Sequence, residues 1–266
     1  MSGLKSTAAA RRLSVRLARD AEDLAAVQRL RWQVFFAEMG ANGTSFDPTE
    51  RFDRDAYDEV CDHLLVIDED RDWPESVVGT YRLLRESVAE RHGGFYSAGE
   101  FDLTRLIHRE KEEGDTRELL ELGRSCVLPA YRTSATISML WRGIGEYIAA
   151  NRIAMMFGCA SFTGTDPDLY APALSYLYHQ HLAPEERRPV VHPGKGVAME
   201  RLARGSYDER RAMLQLPPLV KGYMRVGAKF GNGVYIDHDF NTVDVCVLMP
   251  VDLIADRYLT RFSAAA

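Results

Sequence analysis

The chain has 266 residues, of which 46% are hydrophobic and 27% charged, with a formal net charge of −6. This is enough for a substantial core in one large domain or two small ones. With no apolar run of about 18 residues, a membrane-spanning helix is not expected, and the negative balance argues against nucleic acid as a partner.

Residues 1–11 read as a disordered tail, and Ser263–Ala266 as a frayed end. Lys5, Arg11 and Arg12 have no apolar run behind them, so no secretory signal is read and a cytoplasmic protein is expected. Leu13–Ala18 alternates like a strand. Asp20 then caps a helix carrying Leu24, Val27, Leu30 and Val34 at helical spacing. Met39–Arg54 is a loop. His63–Ile67 and Val77–Leu84 form a hairpin around the acidic turn Asp68–Ser76. Arg85–Arg117 is long and charged, and is expected to hold short helices of its own. Leu119–Leu128 is a strand stopped by Pro129. Ile137–Asn151 is an amphipathic helix with Ile137, Leu140, Trp141, Ile144 and Ile148 on one face.

Ala154–Ala160 follows as a buried strand and Leu169–Leu182 as a helix. Pro184–Pro217 is a polar insertion, and Gly222–Ala228, Val234–Asp237 and Val243–Met249 read as late strands. This order implies an α/β mixed sheet flanked by helices, with a parallel crossover around the Ile137 helix. The domain reading is a single domain over 12–262 with insertions at 85–118 and 183–220. Cys61, Cys126, Cys159 and Cys246 make no CxxC pair, and His179 and His181 have no third ligand nearby, so no metal site is expected.

Leu119–Arg132 holds the densest chemical signal. Glu121 and Arg124 stand three apart in an apolar strand, where alternation separates them onto opposite faces unless a bulge intervenes. Charges in a strand that packs on both faces are expensive unless paired or functional. Behind them a turn leads into a helix N-terminus, whose free N–H groups and positive dipole end suit a phosphate.

Here the chain resembles the GCN5-related N-acetyltransferases. Within them it resembles two acyl carrier protein-dependent branches: the acyl-homoserine-lactone synthases and, more closely, the ornithine-acyl carrier protein N-acyltransferases of ornithine lipid synthesis. The motifs run in order from about Val15 to Ile254: Arg31 with Val34-Phe35; Phe52-Asp53 and Tyr57-Asp58 before His63-Leu-Leu-Val66; Gly79-Thr-Tyr-Arg82; Phe95-Tyr96 and Glu100-Phe101-Asp102; Glu121 and Arg124; Val127-x-Pro-x-Tyr-Arg132; then Tyr223-x-Arg225-x-Gly227-Ala-Lys229, and Asp237 through Phe240-Asn241-Thr242 to Asp244-Val-Cys246. One departure is informative. The family's acetyl-CoA enzymes have a glycine-bearing pyrophosphate loop where this chain has Arg132-Thr-Ser-Ala-Thr-Ile137. A donor with one phosphodiester, the phosphopantetheine of acyl carrier protein, needs less of such a nest.

The resemblance implies transfer of a (3-hydroxy)acyl group from acyl carrier protein to the α-amine of L-ornithine, with no permanently bound cofactor. Glu121 is the candidate general base, and Arg124 its partner or a carboxylate receptor. Arg31, Asp53, Asp58 and Arg82 are acceptor-side candidates, with Arg31 or Arg82 for the carboxylate and Asp53 or Asp58 for the ammonium; the structural reading of the two aspartates is that they cap a loop or helix. Cys126, Val127, Arg132, Thr133, Ser134, Ala135, Thr136 and Ile137 are expected to hold the donor arm, with oxyanion N–H groups at Cys126–Val127.

Trp141 and Leu174–Tyr178 are candidates for the acyl tunnel, and Tyr170–Leu182 with Arg187 and Arg188 for peripheral contact with the inner membrane. Arginine clusters at 187–188, 201–204 and 210–211 are candidates for docking acidic acyl carrier protein. The alternatives are an acyl-homoserine-lactone synthase, an N-acyltransferase for another amino acid, and a non-catalytic protein that binds acyl carrier protein.

Overall fold

A computed structural model describes residues 11–42, 50–109 and 114–254; the two chain ends read above as tails lie outside this range, Arg11 excepted. Strand β1 (Leu13–Leu17) leads to α1 (Ala21–Trp32), whose N-cap Asp20 accepts from the N–H groups of Glu22 and Asp23. A π-helical segment, Gln33–Glu38, extends it. The hairpin β2 (Asp62–Asp68) and β3 (Val77–Arg85) follows as expected, then α2 (Glu86–Arg91), a 3₁₀ turn at Tyr96–Gly99, β4 (Phe101–Asp102) and α3 (Thr104–Ile107). Strand β5 (Glu118–Val127), α4 (Ser134–Asn151) and β6 (Ile153–Thr163) make the crossover unit. The rest comprises α5 (Ala171–His181), β7 (Val190–Val191), β8 (Gly196–Val197), α6 (Glu209–Gln215), α7 (Pro218–Arg225), β9 (Lys229–Phe230), β10 (Val234–Asp237), β11 (Thr242–Pro250) and α8 (Val251–Ile254).

One sequence reading changes. Gly222–Ala228 is not a strand: Pro217 and Pro218 pre-set the start of α7, and Val220 and Tyr223 bury the helical face that alternation had mimicked. The two insertions meet: β7, within 183–220, pairs with β4, within 85–118 (Phe101 opposite Val191). The segment Tyr170–Leu182, read as a membrane contact, spends its apolar side chains on the core: Ala173, Leu174 and Leu177 are 0% exposed. Trp141 packs edge-on against Tyr223, in the core that also holds Leu174 and Leu177. No described helix is long and apolar enough to cross a membrane.

The main sheet runs β1-β2-β3-β5-β6-β11-β10-β8, with β9 paired to β11. Only β5 and β6 pair in parallel, and only from Glu118 to Glu121 and from Ile153 to Phe157. Beyond that point β5 continues against β3 as far as Val127, and β6 continues against β11 as far as Thr163. The sheet therefore splits between Leu122 and Gly158. Gly158 is required there, because a Cβ on it would lie 2.1 Å from the Leu122 carbonyl oxygen.

Paired residues share a face, so the registers sort the side chains. Leu64, Tyr81, Leu122, Phe162 and Val243 face α4, whose Gly143 sits against Leu64, and α7. The opposite face, covered by α1 and the two insertions, carries His63, Arg82, Glu121, Cys159, Ser161, Asp244 and Tyr235. A sheet face with this many ionisable groups beneath helices is where the chemistry is to be sought.

Candidate active site

A β-bulge decides the geometry. Thr80 faces Cys126 and Arg82 faces Gly123, so Arg124 and Ser125 together oppose Tyr81. Arg124 takes a left-handed conformation, φ 49°. The extra residue re-aims Arg124 towards the face that carries Glu121 and Arg82, which resolves their three-residue spacing. The bulge thus lies one to two residues before the Cys126–Val127 position expected to free N–H groups. Leu128 N–H bonds to Val78 O at 2.9 Å; alternation turns Val127 to the other edge, the one β6 has left. The Val127 carbonyl on that edge accepts from Arg132 Nε at 3.1 Å.

Three arginines and three aspartates interlock on the α1 face. Arg31, 0% exposed, donates through Nε to Asp53 Oδ2 (2.7 Å), through Nη1 and Nη2 to both Asp58 oxygens (2.7 and 2.9 Å), and through Nη2 to the Asp53 carbonyl (2.6 Å). Arg82 Nη1 reaches Asp55 (2.6 and 2.7 Å) and Asp58 (3.1 Å). Arg124 reaches Asp53 and Asp55, each at 3.1 Å, and the Tyr96 hydroxyl at 3.4 Å. The Arg82 and Arg124 guanidiniums each lie 4.9 Å from the Tyr96 ring centroid, and Arg124 is 4.4 Å from that of Phe240.

The electrostatics follow from the pairing. Burial works against the Asp58 carboxylate, but its bonds to Arg31 and the Arg82 charge hold its pKa well below the usual range. Burial works against Asp55 too, and Arg82 and Arg124 outweigh it. Opposite charges at hydrogen-bond distance repay desolvation only with good geometry, and the paired contacts here supply it.

Exposure separates the members. Arg31 (0%) and Asp58 (2%) are sealed, whereas Arg124 (11%) and Asp55 (24%) keep contact with solvent, on the side taken below as the acceptor cleft. Arg31, expected as a carboxylate receptor, ties α1 to residues 53–58 through these bonds. Asp53 and Asp58, expected to offer charge to an ammonium, already face two arginines each. Asp55 was not singled out from the sequence; its only signal is the spacing Asp53-x-Asp55-x-x-Asp58.

Glu121 is 4% exposed and accepts from the N–H of Tyr96 (2.8 Å) and of Ser97 (2.7 Å) and from the Ser97 hydroxyl. It therefore anchors the 3₁₀ turn of the first insertion while facing the cleft beside Arg82. Burial raises its pKa against these donors. The thiols are unsuited to nucleophilic attack: burial pushes Cys126 and Cys61 up to about 12, and Cys159 and Cys246 well above their usual range.

The expected donor segment lies at the start of α4. Thr133 is the N-cap, accepting from Thr136 N–H, and Thr136 is 0% exposed. Ser134, Ala135 and Ile137 are exposed. Arg132 grips Glu38 of the π-helical segment with two bonds, at 2.6 and 2.7 Å. Arg11 stacks 4.1 Å from the Tyr131 ring centroid and Arg71 lies 5.9 Å from it, so two arginines meet the aromatic residue three positions before the helix start.

A family model described as acetyltransferase (GNAT) domain matches residues 30–142, in keeping with the mixed sheet flanked by helices. A protein of Agrobacterium fabrum named L-ornithine N(alpha)-acyltransferase is 44% identical over 96% of this chain and 86% of its own length. One of the same name from Rhodobacter capsulatus is 41% identical over 92% of each. The chain belongs to the L-ornithine N(alpha)-acyltransferase family. Among solved structures, that of the AHL synthase LasI superposes with a TM-score of 0.46 at 14% identity, covering 90% of this chain and 91% of that one.

Proposed function

We propose that the chain transfers a (3-hydroxy)acyl group from the phosphopantetheine thioester of acyl carrier protein to the α-amine of L-ornithine, giving a lyso-ornithine lipid. The carrying observation is a buried carboxylate and a cleft-facing arginine, Glu121 and Arg124, beside the β5 edge that β6 vacates. Its family relatives are named for that acceptor and that amine.

The amine arrives mostly protonated at neutral pH and must lose a proton before attack. Glu121, kept from easy ionisation by burial, takes that proton directly or through water. The nitrogen lone pair adds to the thioester carbonyl carbon, and negative charge gathers on the carbonyl oxygen. Val127 N–H, on the vacated edge, is the donor placed for it. The carbon–sulfur bond then breaks, the thiolate leaves and takes up the amine's second proton, and an amide and a thiol remain. Arg124, the most exposed of the three guanidiniums, receives the acceptor's carboxylate. Arg31, Arg82, Asp53, Asp55 and Asp58 hold it in place.

The donor's phosphodiester sits on the free N–H groups of Ser134 and Ala135 at the α4 N-terminus. Arg11, Arg71 and Arg132 form the basic rim for acidic acyl carrier protein.

The test is an end-point assay read by mass spectrometry, with purified protein, a 3-hydroxyacyl carrier protein and a panel of amino acids. Wild type is expected to make acyl-ornithine. Glu121→Gln is expected to lower kcat by roughly 10²–10⁴-fold, and a thermal melt checks that the 96–99 turn survives. An unchanged rate in the variant would remove Glu121 from the chemistry, and a product with another amine would reassign the acceptor.

A further inference from the structure

Beyond the arginine–aspartate cluster lies a second charged group on the same sheet face. Glu100 ends the 3₁₀ turn of the first insertion; its carbonyl accepts from His192 N–H (3.0 Å) and its carboxylate from the Cys159 thiol on β6 (3.0 Å). Asp237 closes β10 and accepts from Phe240 N–H at 2.8 Å. Asp244 lies on β11 between Tyr235 of β10 and Ser161 of β6. The three are 7%, 8% and 5% exposed.

These carboxylates are unlike Asp53 and Asp58. Among the described residues no lysine or arginine forms an ion pair with any of them. The Oδ1 atom of Asp244 is buried and has no hydrogen-bond partner there. Burial first, then the Asp244 charge, pushes Glu100 up to about 8; burial first, then the Asp237 charge, pushes Asp244 up to about 6 against the Ser161 and Thr242 hydroxyls and the Arg124 charge, which favour its ionised form. Three buried acids with an orphaned oxygen are unfavourable as they stand, and a cation placed among them relieves both problems. Among the described residues no three His, Cys, Asp or Glu side chains close into one metal-ligating sphere; an ammonium, which makes separate hydrogen bonds to acceptors around it, suits carboxylates spread along one sheet face. Ser161, opposite Asp244 on β6, is exposed, so this end of the group lies near solvent.

The group also has a fixed relation to Arg124. Phe240, whose N–H binds Asp237, lays its ring 4.4 Å from the Arg124 guanidinium. Phe240 thus ties the acids to Arg124, and a ligand with a carboxylate at one end of a short aliphatic chain and a cation at the other has ends complementary to the two.

We propose that Glu100, Asp237 and Asp244 receive the distal ammonium of a diamino acid acceptor and so select it over neutral amino acids; this rests on the acyl-transfer reading above. The acceptor then lies across the split in the sheet, carboxylate towards β5 and side chain towards β6, β11 and β10.

The experiment compares L-ornithine with norvaline, its neutral counterpart lacking the terminal amine. Wild type, Asp244→Asn and Asp237→Asn are each assayed with the same acyl carrier protein donor, and calorimetry without donor gives binding of both amino acids. The ornithine-to-norvaline ratio in kcat/KM should fall roughly 10- to 100-fold in each variant, the range expected for losing a charged hydrogen bond. The loss should sit in the ornithine KM, with the donor KM within about twofold. Both variants keeping the wild-type ratio would overturn the assignment. Wild type that binds ornithine over norvaline yet forms no acylated product would sink the acyl-transfer reading alone, and the binding ratios of the variants would still decide the ammonium site. Wild type with no preference in either assay would sink the site itself. If one asparagine variant fails to fold, the other decides.

Discussion

Replacing Glu100 with glutamine should stabilise the protein, and only above mildly acidic pH. The glutamate's pKa is pushed up from an ordinary 4.5 to about 8, by burial first and then by Asp244 and Asp237 of β11 and β10 and Glu121 of β5. Among the described residues its carboxylate accepts one hydrogen bond, from the Cys159 thiol of β6. A raised folded-state pKa means that the native protein holds a proton which the unfolded chain has lost between pH 4.5 and 8. Stability therefore falls as pH rises across that window, and is flat on either side. At about 1.36 kcal/mol per pH unit, the wild type has lost roughly 3 kcal/mol by pH 7 relative to mild acid. Glutamine keeps the shape, cannot ionise, and can turn its amide N–H groups towards Asp244. Allowing for the cost of ordering that amide, a net gain of about 1–3 kcal/mol at pH 7–8 is expected. For a chain of this size that is roughly 3–9 °C in melting temperature. Melting curves of both proteins at half-unit steps from pH 5 to 8.5 provide the assay. The difference should grow with pH and nearly vanish at pH 5. A gap constant with pH, or a variant less stable at pH 8, would refute the reasoning.

Arg31→Met leaves Asp53 and Asp58 buried beside each other with one cation fewer, and should lower stability by about 3–5 kcal/mol in chemical denaturation; a loss under about 1 kcal/mol would contradict its tying α1 to residues 53–58. Gly158→Ala drives a Cβ into the Leu122 carbonyl, backbone against backbone. It should cost more than about 3 kcal/mol or prevent soluble expression, since rigid overpacking lies at the top of the usual range. Charge reversal at Arg11 and Arg71 should raise KM for acyl carrier protein roughly tenfold or more, with a salt dependence weaker than wild type, while a short acyl-pantetheine donor keeps its rate; equal losses with both donors would place those arginines outside carrier docking.

Much of the frame was legible because it depends on local pattern. Asp20 is followed by a helix because its carboxylate satisfies two N–H groups of the first turn, and the alternation in the hairpin survives as the β2–β3 register. Glu121 and Arg124 announced themselves as charges in an apolar strand, and the spacing between them required the bulge that Arg124 φ 49° supplies. Gly222–Ala228 misled because seven residues of mixed polarity fit either period, and the decisive signal, the Pro217–Pro218 pair, precedes it. What local pattern cannot carry is convergence. Asp55 meets Arg124 across 69 positions of sequence, and Glu100 meets Cys159 across 59. Neither carboxylate has a neighbour in its own segment that marks it as paired or unpaired.

That distinction is what turns a charged face into an oriented site. Six of its ionisable groups, Arg31, Arg82, Arg124, Asp53, Asp55 and Asp58, cancel one another in a lattice of short bonds. Such a lattice can fix Arg124 in space but adds little net field at a distance. Glu100, Asp237 and Asp244 form no such ion pairs among the described residues; burial favours protonated Glu100 and Asp244, and their negative charge develops where a cation joins them. A zwitterion with an extra ammonium is thus held at one end by geometry and drawn at the other by charge. The nearer amine is left beside Glu121 and the vacated edge of β5, where the thioester carbonyl must come. Reversing the ligand would bring its carboxylate to three acids and its ammonium to three arginines. The two groups together therefore favour acylation of the α-amine over the distal one, since only one direction along the cleft is electrostatically permitted.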